Sequence, residues 1–160
     1  MDILIIAVGK LKEACIARLI DDYLKRLRPL LPRLGFTGIA VRELVESRKR
    51  TAAERKAEEA AAIRKAAGKN AALLLLDERG ESPDSRAFAQ RLIRLSRSGE
   101  KRLAIVIGGP DGLDESLKRE AEALISFGRM TWPHQLVRLM LAEQLYRAAS
   151  IAAGHPYHRD

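Results

Sequence analysis

The residues of this chain best equipped for chemistry stand at its end. His155-Pro156-Tyr157-His158-Arg159-Asp160 sets a phenol, an imidazole and a guanidinium side by side, behind a proline that stiffens the backbone. A hydrogen-bond donor, a titratable ring and a fixed cation are what an acidic N–H needs if it is to lose its proton and attack an electrophile. Shortly before the tail, Glu143 and Arg147 lie four apart on one face of a predicted helix. That spacing fits an ordinary helical ion pair, and nearness to the tail also fits a part in the same apparatus.

A second candidate is Gly108-Gly109-Pro110-Asp111-Gly112, three glycines in five residues directly after the apolar run Leu103 to Ile107. Without Cβ atoms the backbone amides can approach a ligand closely, but the same residues also suit a tight strand-to-helix turn needing positive φ. Both readings stay open. Two further loops, Leu76 to Gly80 and Gly128 to Pro133, also follow predicted strands, and Leu76, Met130 and Trp132 could enclose a flat ring. The first predicted strand lacks the glycine fingerprint of dinucleotide binding and the lysine-bearing phosphate loop, which argues against nicotinamide enzymes and nucleotide triphosphatases.

Metal binding is not expected. His155 and His158 lack carboxylate or thiolate company at fixed spacing, and the single Cys15 has no partner for zinc or for an internal disulfide. A reducing cytoplasm is the expected location. The run Ile3 to Val8 is too short for a secretory leader, and no window approaches the roughly 18 apolar residues of a membrane span.

Lysine and arginine number 29 against 21 acidic residues, a formal charge of +8 that favours a phosphate-rich partner. Arg48-Lys49-Arg50, with Arg55, Lys56, Arg64 and Lys65, is partly balanced by Glu54, Glu58 and Glu59 and reads better as a solvated helix face. Arg91, Arg94 and Arg97 are less balanced; their spacing predicts one ridge, either a phosphate contact or a solvated face. Aromatic residues make up only 4% of the chain, few for a base-stacking platform.

The elements that must position these residues follow from period. At 160 residues the chain fits one domain, 1–160. Short apolar runs (Ile3 to Val8, Ala71 to Leu76, Leu103 to Ile107) alternate with amphipathic stretches, predicting an α/β fold: a parallel-type sheet with helices on both faces. Helices are expected over Leu11 to Leu27, from Thr51 (a capping box with Glu54) to Ala67, from Ser82 to Gly99, after Asp114, and over a long segment bearing Leu136 to Ala148. The segment around Pro29 and Pro32 reads as a loop, Phe36 to Val45 as a weaker strand, and Leu124 to Phe127 as a last short one.

Taken together, these segments resemble the ribosomal RNA large subunit methyltransferase H family, small members of the SPOUT class. The resemblance spans essentially the whole chain and is carried by Ile5 to Lys10, Ile107 to Leu113, Pro133-His134-Gln135-Leu136-Val137-Arg138, Glu143 to Ala148 and His155 to Arg159. It implies a SPOUT fold with a C-terminal trefoil knot, which periodicity does not reveal and the general avoidance of knots would not suggest. It also implies S-adenosyl-L-methionine as cofactor and methylation of N3 of a pseudouridine in helix 69 of 23S ribosomal RNA, on assembled ribosomes, by a homodimer. Leu76, Gly108, Phe127, Gly128, Arg129, Met130, Thr131 and Trp132 would hold the cofactor, and Tyr157, His158, Arg159, Glu143 and Arg147 would carry catalysis. A basic RNA- or ribosome-binding module without activity, or a SPOUT enzyme acting on transfer RNA, are the alternatives.

Overall fold

The computed structural model describes residues 1–159; Asp160, the end of the predicted tail, lies outside the described residues. Five strands, β1 (Asp2–Val8), β2 (Ile39–Leu44), β3 (Ala71–Glu81), β4 (Arg102–Ile107) and β5 (Ala123–Ile125), form one sheet in the order β2-β1-β4-β3-β5. All pairings between them are parallel, so every strand delivers its following loop to the same edge. The apolar runs supply the three inner strands, as burial on both faces requires.

Helices α1 (Ala14–Leu27), α2 (Leu31–Leu34), α3 (Ala52–Ala67), α4 (Ser85–Leu95), α5 (Glu115–Glu120) and α6 (His134–Ala153) cover the sheet. Strand alternation sorts the core into two layers. Ile3, Ile5, Leu74 and Ile105 pack with α1, α2, α4 and α6, while Leu4, Ile6, Leu75 and Val106 pack with α3 and α5. The capping box is present: Thr51 Oγ1 accepts from the Glu54 N–H at 3.2 Å and Glu54 Oε2 accepts from the Thr51 N–H at 3.0 Å.

Several boundaries differ from expectation for identifiable reasons. The Leu11, Lys12 and Glu13 amides are bound by Glu43 and Gln135 side chains, so α1 starts only at Ala14. The segment expected as a loop is helical: Pro29 and Pro32 each sit in the first turn of a short helix, where a missing N–H costs nothing, and Leu31 and Leu34 are buried. β3 runs on to Glu81, which delays α4 until Ser85, with Asp84 as its cap. In this overrun β3 wraps β5, because Ile125 pairs with both Leu76 and Glu81. A Cβ on Gly80 would lie 2.6–2.7 Å from the Leu124 and Ile125 backbone, so only glycine permits that approach. The last strand, expected over Leu124 to Phe127, is Ala123–Ile125.

Candidate active site

The loops after β3, β4 and β5 meet at the carboxyl edge of the sheet and enclose a cleft of about 380 Å³. Leu76, Gly108, Phe127, Gly128, Met130, Thr131 and Trp132 line it as expected; Arg129 is exposed and does not. Within the glycine loop only Gly112 has a positive φ, +82°. Gly108 is required for another reason: its Cβ would lie 2.9 Å from two carbons of the buried Leu113. A Cβ on Gly109 would lie 2.8 Å from Glu59 and 3.1 Å from Val8. The loop is thus pressed against its support, which leaves backbone on the cleft side, a cradle suited to a small ligand held largely by main-chain groups.

Sequence reasoning missed an ion pair in this cleft. Lys118 Nζ lies 2.8 Å from Asp77 Oδ2 and 3.0 Å from Glu115 Oε1, and the Asp77 side chain is 9% exposed. Burial alone would raise the Asp77 pKa, but hydrogen bonds from Lys118 and the Arg79 N–H, with their charges, hold it below the usual carboxylate range. Arg138 was also unread. It is 7% exposed, pairs with Glu43 at 2.5 Å and donates to the Gly9 carbonyl, while its Nε is buried without a partner among the described residues. The signal was available: one arginine inside the run Leu136-Val137-Arg138-Leu139-Met140-Leu141.

The structure brings the remaining candidates together elsewhere. Glu143 Oε1 accepts from Arg147 Nε at 3.0 Å, Arg147 Nη2 at 2.6 Å and the Tyr157 hydroxyl at 3.0 Å. Arg147 also stacks 4.9 Å from the Tyr157 ring centre and contacts His158 Nδ1 at 3.4 Å, where the ring nitrogen must accept because guanidinium only donates. Burial, followed by the hydrogen bonds with Tyr23 and Glu143, pushes the Tyr157 phenol far above its ordinary value, so it stays protonated. The hydrogen bond from Arg147 to Glu143 raises the Arg147 pKa further. Arg159 is exposed.

This cluster does not line the cleft beside the glycine loop. Glu143 and Tyr23 line a neighbouring cleft of about 720 Å³, with residues 125–128 as a wall common to both. The Arg91 ridge is not formed: Arg91 pairs with Glu81, and Arg97 lies beyond the end of α4. Among the described residues no group of three His, Cys, Asp or Glu is placed to hold a metal ion, and no helix is long and apolar enough to cross a membrane.

The fold is a parallel sheet with a cleft at its carboxyl edge and a hydrogen-bonded ionic cluster beside it, and comparison names the class. The family described as "Predicted SPOUT methyltransferase" matches residues 1–158. Proteins named ribosomal RNA large subunit methyltransferase H are similar over their full length. The one from Brucella anthropi is 47% identical over 160 residues, 100% of both chains, and one from Rhodopseudomonas palustris is 52% identical over 159 residues, 99% of both. The chain belongs to this family of SPOUT methyltransferases. It is therefore an enzyme, with S-adenosylmethionine as its cofactor. Among solved structures, the SpoU methyltransferase AviRb from Streptomyces viridochromogenes in complex with AdoMet aligns at a TM-score of 0.40 and 12% identity, covering 92% of this chain and 59% of that one; nothing rests on so distant a likeness.

Proposed function

We propose that this single-domain protein methylates N3 of a pseudouridine in helix 69 of 23S ribosomal RNA on assembled ribosomes in the cytoplasm. Its relatives carry the ribosomal RNA methyltransferase name at about half identity over the whole chain, and its charge of +8 suits a polyanionic substrate. The observation that carries the reading is the pairing of a main-chain cradle around Gly108 with the cluster Glu143, Arg147, Tyr157 and His158, a charged and hydrogen-bonding set suited to an imide and its anion.

The cofactor fits the cleft by chemistry: glycines whose Cβ atoms have no room, and apolar Leu76, Phe127, Met130 and Trp132 beside them. When bound, it supplies an electrophilic methyl group. The chain's own residues then have to remove the N3 proton and stabilise the nitrogen anion. Tyr157 stays neutral and helps orient the base, His158 is held through Nδ1 by Arg147 beside it, and the positive charge of Arg147 and Arg159 stabilises the anion left when the N3 proton departs to water. Glu143 Oε1 is saturated by three donors, so its part is to hold Tyr157 and Arg147 in place.

The separation of the cluster from the cofactor cleft supports a homodimer in which the tail of one copy completes the cleft of the other. Leu19 on α1, Met130 and Trp132 are apolar and exposed at the two clefts, and Leu136 is exposed in the first turn of α6, which favours burial by a second copy. The wrap of β3 around β5 supports the proposed threading of the following segment into a trefoil knot. The reading is tested by labelled-methyl incorporation into assembled ribosomes, free subunits and transfer RNA. Label on N3 of the helix 69 pseudouridine in ribosomes is expected; label on transfer RNA alone, or on nothing, would overturn it.

A further inference from the structure

We infer that the loop between β2 and α3 is a preformed seat for phosphates of the RNA flanking the target nucleotide, and that Arg55 is the positioning residue fixing this seat beside the cofactor cleft. The inference rests on ribosomal RNA being the substrate. It also reverses the expectation for this basic run, which by sequence read as a solvated face.

Placement comes first. β1 lies next to β4, and β2 next to β1, in a sheet whose strands all run one way, so their loops emerge at the edge that holds the cleft. Arg48, Lys49 and Arg50 are consecutive and exposed there, as are Lys10 and Lys12 on the adjoining β1–α1 loop. The two loops touch: the Gly9 N–H donates to the Leu44 carbonyl at 2.8 Å, and a Cβ on Gly9 would lie 2.6 Å from Glu46 Oε1. Among the described residues none of these five cationic side chains has a hydrogen bond or ion pair. Most acids nearby are engaged elsewhere, Glu54 in the capping box, Glu58 with the Ser47 hydroxyl, Glu59 with the Ser47 N–H and Glu43 with Arg138; the exposed Glu46 beside Gly9 is the exception and offsets one of the five cations.

Rigidity comes second. A charged run serving solubility alone needs no fixed backbone, yet this loop is tied along its length. The buried Glu59 accepts from the Ser47 N–H at 3.0 Å, and Ser47 Oγ accepts from the Lys49 N–H at 3.3 Å. Arg55 Nη1 donates to the carbonyls of Lys49 at 3.0 Å and Arg50 at 3.1 Å. The same guanidinium reaches Asp111 of the glycine loop through two bonds, of 2.6 and 3.0 Å. One side chain therefore joins the cationic loop to the cofactor cradle. A loop already ordered spares the entropy of ordering it on the RNA, and each phosphate neutralised releases counterions.

The test uses the full-length protein with Arg48→Gln, Lys49→Gln and Arg50→Gln combined, against a charge-matched control at the opposite edge of the sheet, Lys65→Gln with Lys69→Gln and Lys101→Gln. Exposed glutamines should leave the melting temperature of both nearly unchanged. The first variant should raise KM for ribosomes at least tenfold near 0.1 M salt, with kcat within about twofold and S-adenosylmethionine affinity unchanged. Its plot of log affinity against log salt should be shallower by about 2 to 3, as the loss of three phosphate contacts requires. Arg55→Gln, which keeps all three cations, should raise KM and flatten the salt plot as well, and Arg55→Lys should not restore either, since one ammonium cannot join two carbonyls to Asp111. Wild-type KM and salt slope in the triple variant of a protein that does methylate ribosomes would overturn the seat while leaving the proposed function intact. Equal losses in the control would reduce the effect to net charge and overturn it too. A wild-type protein that neither binds nor methylates ribosomal RNA would overturn both.

Discussion

The Tyr157 hydroxyl donates to Glu143 Oε1 at 3.0 Å, which ties the tail to the middle of α6 and keeps the phenol neutral. Tyr157→Phe removes this bond with little loss of apolar packing. Because orientation of the base matters mainly in the transition state, the change should slow methyl transfer at least tenfold and leave cofactor affinity unchanged. Arg159→Ala should behave likewise through lost anion stabilisation. Single-turnover rates beside cofactor calorimetry check both; full activity in either variant would remove that residue from the chemistry.

A Cβ at Gly108 would lie 2.9 Å from the buried Leu113, so any side chain there must displace the glycine loop. Gly108→Val should lower S-adenosylmethionine affinity by at least tenfold while the protein stays folded by circular dichroism. Affinity equal to wild type would show that the cradle is not where the cofactor sits.

The Asp77–Lys118 pair makes stability depend on acid pH. Asp77 is held below its ordinary value of 3.8, so the unfolded chain binds its proton more readily than the folded one. Its contribution is present above that ordinary value and is lost as pH falls through the lower folded value. Asp77→Asn should therefore reduce stability by about 2 kcal/mol near neutrality, with the difference from wild type shrinking below about pH 4. Thermal melts of both proteins from pH 3 to 7, without cofactor, read this directly; a difference independent of pH would contradict it.

Arg138 is buried with Glu43 and the Gly9 carbonyl as partners. Arg138→Ala leaves those acceptors without their donor and should cost about 3 kcal/mol, lowering the melting temperature by about 10 °C. A shift under two degrees would mean that water replaces the guanidinium without loss.

What could be read from the sequence was what local chemistry determines. Ile3 to Val8 and Leu103 to Ile107 announce buried parallel strands by their unbroken apolar character, and Thr51 with Glu54 announces a helix start because both bonding groups lie within one turn. Cleft-lining residues such as Leu76 and Gly108 could be placed because they follow strands whose ends share one edge. Contacts between distant segments could not be read. The bonds from Gln135 to the Lys12 and Glu13 amides shorten α1, and β5 draws β3 out to Glu81, yet neither partner is marked in the local pattern. The Arg91 spacing suggested a ridge because helical period was extended past the true end of α4. Arg55 read as part of a solvated face because Asp111 is 56 residues away.

The central claim, that a cofactor cleft in one copy works with the tail of another, is tested most directly by mixing two inactive proteins. One carries Gly108→Val and an intact tail; the other keeps its cleft but lacks residues 155–160. Random exchange places half of the subunit pairs in mixed dimers, each with one complete site, so equal amounts should recover about one quarter of the wild-type methylation rate. No recovery, in a mixture where tagged pull-down shows that mixed dimers have formed, would contradict the shared site and return all of the chemistry to a single chain.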